Sequence, residues 1–165
     1  DEYLRAHSLG RQARAVAKLT PKKQTILLGP NVTDANFDEV FGHELVHIIS
    51  YQKYKSAIPK WLEEGLANHI ARSKKVDYRW LIKQGVPKQI RNLDHSFSLS
   101  AKRTVVHYMA SQALAEMLDK KCKLERLLQL SVERNMEDYI KTYCEIPDLD
   151  KEFVKWVNRR AKLQR

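Results

Sequence analysis

Five consecutive residues, His43-Glu44-Leu45-Val46-His47, constrain this chain more than any other feature. Two histidines four apart lie on the same face of a helix, one turn above each other, so the pattern calls for a helix that faces a cleft. Their imidazoles can converge there on one small cation, and zinc is the first-row metal that suits them best. Glu44 projects into the same space, where a carboxylate can take a proton from metal-bound water. The spacing therefore points to metal-dependent hydrolysis, with a peptide bond as the expected substrate.

A bare HExxH also arises by chance, so the flanks carry weight. Phe37, Val40, Phe41, Leu45, Ile48 and Ile49 recur at helical spacing and predict a buried apolar face. Thr33, Asp34 or Asn36 can cap the start, and Asp38 and Glu39 fall in the first turn, where the helix dipole favours negative charge.

A catalytic zinc wants three protein ligands and one open position. Downstream, Pro59-Lys60-Trp61-Leu62-Glu63-Glu64-Gly65-Leu66-Ala67 reads as a second helix opened by proline. Spacing alone leaves Glu63 and Glu64 as equal candidates for the third ligand. The string Trp-Leu-x-Glu-Gly-x-Ala after an HExxH resembles the glutamate helix of the gluzincins, the clan of thermolysin and the M1 aminopeptidases. That resemblance covers roughly residues 25 to 120 and is nearest to the small peptidase MA-like proteins, or minigluzincins. It implies zinc held by His43, His47 and Glu64, with Glu63 pointing elsewhere.

Further roles follow from the resemblance. Asn68, one turn beyond Glu64, is expected to orient a ligand histidine through its second ring nitrogen; an ordinary polar helix residue is the alternative. Val105-Val106-His107-Tyr108-Met109-Ala110-Ser111 resembles the tyrosine-bearing helix of these proteins, which makes Tyr108 the expected hydrogen-bond donor to the oxyanion, with His107 and His95 as substitutes. His69 points off the ligand face. The chain departs from the M1 branch in one respect: no Gly-x-Met-Glu-Asn string, which in that branch supplies the carboxylate binding a free substrate amine, precedes the HExxH. An endopeptidase is expected rather than an aminopeptidase.

The 165 residues, 43% of them apolar, suffice for one core. No apolar run approaches the ~20 residues that a bilayer requires, and a chain that starts at Asp1 without an apolar leader reads as a soluble, processed or truncated form. The net charge of +10 is spread along the chain, with no nucleic-acid motif. A solvated basic surface that can contact polyanions is expected, not a specific nucleic-acid site. Cys122 and Cys144 permit one disulfide, but two reduced cysteines packed in helices are the expectation.

The chain shows no linker or repeat. Asp1 to Leu9 reads as a short helix. Ala13 to Leu19 and Gln24 to Gly29 suit a hairpin around Thr20-Pro21-Lys22-Lys23, although the alanine-rich first arm is also compatible with a helix. Helices are expected over Tyr78 to Gln84, Lys102 to Lys120, Lys123 to Arg134, Met136 to Tyr143 and Leu149 to Lys162, the last capped by Asp148 or Asp150. The fold class is α+β, mostly helical. The resemblance adds a single zincin-like domain of two lobes: a small sheet and the active-site helix in an upper lobe, about residues 1–50, over a helical lower lobe, about 51–165. Two rival readings stand beside the peptidase. Glu-x-x-Ala-Asn-x-x-Ala from Glu64 loosely resembles the ImmA/IrrE regulatory proteases, which act on one partner protein. A non-catalytic zinc-binding module is the other, against which the presence of Glu44 argues.

Overall fold

The computed structural model describes residues 14–55, 57–71, 75–93, 101–131 and 136–164. Among these residues two strands, β1 (Ala15–Leu19) and β2 (Gln24–Leu28), precede seven α-helices: α1 (Phe37–Tyr54), α2 (Lys60–Ile70), α3 (Tyr78–Gln84), α4 (Ala101–Cys122), α5 (Leu124–Ser131), α6 (Met136–Tyr143) and α7 (Leu149–Leu163). The described part is mostly helical with one small antiparallel sheet. None of its helices is long and apolar enough to cross a membrane. The helix expected over Asp1 to Leu9 lies outside the described residues.

The hairpin resolves the ambiguity of the alanine-rich arm. Ala15 pairs with Leu28 and Leu19 with Gln24. Thr20 closes the loop twice: its hydroxyl donates to the Lys23 carbonyl at 2.6 Å and accepts from the Lys23 amide at 3.0 Å. Pro21 follows at once and would interrupt any helix continuing from the arm.

α1 runs for 18 residues, from Phe37 to Tyr54. Asn36 occupies its cap position but does not cap it. The Asn36 side chain accepts from the Thr33 amide at 2.8 Å and donates to the Asn31 carbonyl at 3.2 Å, which pins the preceding turn instead. The expected apolar inner face of α1 also requires correction. Val40, Glu44, Val46, His47 and Ser50 are the buried residues, while Phe37, Leu45 and Ile49 are about two-fifths exposed. The reason is the choice of partner. α1 packs against both the hairpin and α2, and the face turned to α2 is the one that carries the histidines.

Behind this pair lies the main core, built from Leu62 and Leu66 of α2, Leu81 of α3, Leu114, Met117 and Leu118 of α4, and Phe153 and Val157 of α7, all essentially inaccessible. α2 and α4 meet closely because residue 65 is glycine. A Cβ there would fall on the Ser111 carbonyl and reach within 3.1 Å of the Ala115 methyl. α7 is capped by Asp148, whose carboxylate accepts from the Lys151 amide at 2.9 Å.

The cysteines are paired, contrary to the expectation of free thiols. Cys122 ends α4, and Cys144 lies just beyond α6 rather than inside it. Lys123, in the left-handed region at φ 50°, turns the chain sharply into α5. α5 and α6 pack together, and α6 thereby returns its end to α4, with 4.8 Å between the two Cα atoms.

Candidate metal centre

α1 brings His43 and His47 to the face of α2 that carries Glu64. The two Nε2 atoms stand 3.1 Å apart. Glu64 Oε2 lies 3.4 Å from His43 Nε2 and 3.6 Å from His47 Nε2. A point equidistant from three atoms at such separations sits about 2 Å from each, which is the zinc–nitrogen and zinc–carboxylate bond length. Among the described residues these three form the group able to hold a metal ion. The donor set fits on a second count. Glu64 Oε2 is buried and makes no hydrogen bond; it faces the two imidazole nitrogens at 3.4 and 3.6 Å, beyond good hydrogen-bond distance, an arrangement that a shared cation would complete.

The surrounding charges are arranged around that gap. His47 Nδ1 meets Glu63 Oε1 at 3.0 Å. Lys60 Nζ lies 3.1 Å from Glu63 Oε2 and 2.9 Å from Glu64 Oε1. Burial alone would lower the pKa of His47, but the bond to Glu63, the contact with Glu64 and both negative charges hold it up at about 9. Burial likewise opposes ionisation of Glu64, yet the two histidines and the charges of His47 and Lys60 keep its carboxyl well below the usual range. Glu63 is lowered in the same way, with burial again opposing and His47 and Lys60 prevailing. In the metal-free protein a proton on His47 thus occupies ground that a cation would take.

A cavity of about 190 Å³ opens over the group, and His43, Glu44, His47, Glu64 and Tyr108 all contribute to its wall. Glu44 is 8% exposed, on the face that also carries His43 and His47. Burial, followed by the charges of Glu64 and Glu44, raises the pKa of Tyr108 far above the usual phenol range, so it stays a hydrogen-bond donor at any working pH. β1 forms the opposite wall with Ala15, Val16, Ala17 and Leu19. Its alanines leave the approach to the centre open.

One sequence expectation needs revision here. Glu63 does not point away: it meets the far nitrogen of His47 at 3.0 Å. Neighbours on a helix are 100° apart, so Glu63 and Glu64 straddle the line of contact with α1 and reach opposite sides of one imidazole. Asn68 is half-buried one turn further on and is not part of the cavity wall. Lys60 was not anticipated at all, although Lys60, Glu63 and Glu64 stand at the i, i+3, i+4 spacing that lets charges meet on a helix. His69 is engaged elsewhere, with Asp119 at 3.2 Å. His107 has a buried Nδ1 without a partner and lies off the cavity wall. His95 falls outside the described residues. No family model matches the chain, and no curated protein or solved structure is significantly similar to it.

Proposed function

We propose that this chain is a zinc-dependent peptidase of the gluzincin type, acting within peptide chains rather than at a free amino terminus. The observation that carries the reading is the triangle of His43, His47 and Glu64 with Glu44 on the same cavity wall. A purely structural zinc site is closed by a fourth protein ligand; here the fourth side opens onto a cavity that holds a carboxylate and a tyrosine. The reading takes the hairpin with α1 as the upper lobe of a zincin-like domain and α2 with the later helices as the lower lobe.

Zinc, when bound by the two imidazoles and Glu64, would acidify a water molecule and polarise the scissile carbonyl. Glu44 takes the proton of the attacking water and returns it to the leaving amine, so that one buried carboxylate serves as base and then as acid. Tyr108 donates a hydrogen bond from its hydroxyl to the oxygen that gains charge as the carbonyl becomes tetrahedral. Among the described residues β1 pairs only with β2. Its other edge can hydrogen-bond an extended peptide as an added strand, which sets the register of the scissile bond.

Digestion of casein or a peptide library, with and without a chelator, tests the proposal. Cleavage that stops on chelation, returns with zinc, and falls about 10²–10⁴-fold in Glu44→Gln is the expected result. Chelator-insensitive cleavage, or full turnover in Glu44→Gln with zinc still bound, would contradict it.

A further inference from the structure

Lys60 belongs to no ligand set, yet it is built into the same corner. It opens α2, and its ammonium spans two neighbouring carboxylates, reaching Glu63 Oε2 at 3.1 Å and Glu64 Oε1 at 2.9 Å. Each glutamate is thereby divided between two tasks. Glu64 gives Oε1 to Lys60 and turns Oε2 toward His43 and His47. Glu63 gives Oε2 to Lys60 and Oε1 to His47 Nδ1.

This division matters because a carboxylate can give a metal one oxygen or two. With two imidazoles already present, a second oxygen from Glu64 would take the place that a catalytic zinc keeps for water. An adjacent second carboxylate adds a further hazard, since Glu63 is close enough in sequence to compete as a ligand. A cation fixed to one oxygen of each opposes both outcomes. It also offsets the repulsion between the buried charge of Glu64 and the largely buried charge of Glu63.

We infer that Lys60 is a positioning residue that holds Glu64 to single-oxygen coordination and Glu63 to His47, and so keeps the fourth position of the metal open. The inference rests on the metal reading of this corner and adds to it a cause for the open position. It also accounts for a lysine at a cavity wall whose ammonium stays within 3.1 Å of two carboxylates although its side chain is 36% exposed.

The test uses the full chain, freed of metal and titrated with cobalt(II), whose visible absorption is intense in four-coordinate sites and weaker in five-coordinate ones. The unaltered protein should give the intense spectrum. Lys60→Met should give the weaker one, with cobalt affinity reduced roughly 10–100-fold, while Lys60→Arg, which keeps the charge, should restore the four-coordinate spectrum. A Lys60→Met spectrum identical to that of the unaltered protein, with native circular dichroism, would overturn the inference. A five-coordinate spectrum in the unaltered protein would do the same. If Lys60→Met does not fold, Lys60→Gln replaces it and is judged by the same two outcomes. Failure of the unaltered protein to take up cobalt at all would remove the metal reading itself, and this inference with it.

Discussion

Among the described residues, two corners bury polar groups and each leaves one atom without a hydrogen-bond partner: a donor, Arg160 Nε, in the first and an acceptor, Glu64 Oε2, in the second. In the first, where α3, α4 and α7 meet, the Tyr78 hydroxyl donates to Glu116 at 2.7 Å and accepts from the Trp156 indole at 3.2 Å. The Arg160 guanidinium lies over the rings of Tyr78 and Trp156, 5.5 and 5.6 Å from their centroids. Tyr78 has its donor and its acceptor both used, within a ring of side chains that face one another. In the second corner, Glu64 Oε2 and two imidazole nitrogens converge on a gap, and the carboxylate oxygen has no hydrogen-bond partner. A buried orphan of this kind costs roughly 1–3 kcal/mol. The orphan of the first corner belongs to a guanidinium laid over two aromatic rings, whereas that of the second is a carboxylate oxygen facing two imidazole nitrogens, a group able to hold a cation.

The tyrosines of the two corners sharpen the contrast. Burial raises the pKa of both, but Tyr78 is raised next by its own bond to Glu116, and Tyr108 by the charges of Glu64 and Glu44. Tyr108→Phe should therefore lower kcat about 10²–10³-fold with little change in KM or in thermal stability. Tyr78→Phe should do the reverse, costing about 1–3 kcal/mol in denaturant unfolding while kcat is unchanged. Steady-state kinetics and urea titration on the two variants decide it; equal kcat losses would erase the distinction between the corners.

Gly65 couples the two regions, because it sets the close contact of α2 with α4. Gly65→Ala pushes a methyl onto the Ser111 carbonyl and should cost about 1–3 kcal/mol of stability. It should also weaken zinc binding through the displaced Glu64. A variant with unchanged urea midpoint would show that this contact has slack.

A further effect concerns pH in the metal-free protein. His47 titrates at about 9 instead of 6.5, so its stabilising interaction is complete below 6.5 and is lost as pH rises through 9. The melting temperature of the metal-free protein should fall across that interval. The zinc-loaded protein should show no such fall, since the metal then occupies the place of the proton. A flat profile without metal would mean that Glu63 and Glu64 do not share that proton with His47.

Much of the fold was legible in the sequence where local signals act. α3 and α6 match their expected bounds, and α3 has Asp77 to accept from the Trp80 amide at its start and Gly85, at φ 96°, at its end. His43, Glu44, His47, Glu64 and Tyr108 were placed on one cavity by spacing and resemblance, and they line one. What escaped depends on how helices meet. The turn of Glu63 to His47 requires knowing which side of α2 faces α1, and the pairing of Cys122 with Cys144 requires the return path through α5 and α6. The exposure of Phe37, Leu45 and Ile49 has the same origin, since periodicity marks an apolar stripe but not what covers it.

The central claim is that the second corner holds a metal, and zinc stoichiometry tests it most directly. Atomic absorption on the protein dialysed against dilute zinc should give about one zinc per chain. His43→Ala, His47→Ala and Glu64→Ala should each lose it, whereas Glu44→Ala should retain it in full. A chain that binds no zinc, or full retention in the His43 and His47 variants, would contradict the account.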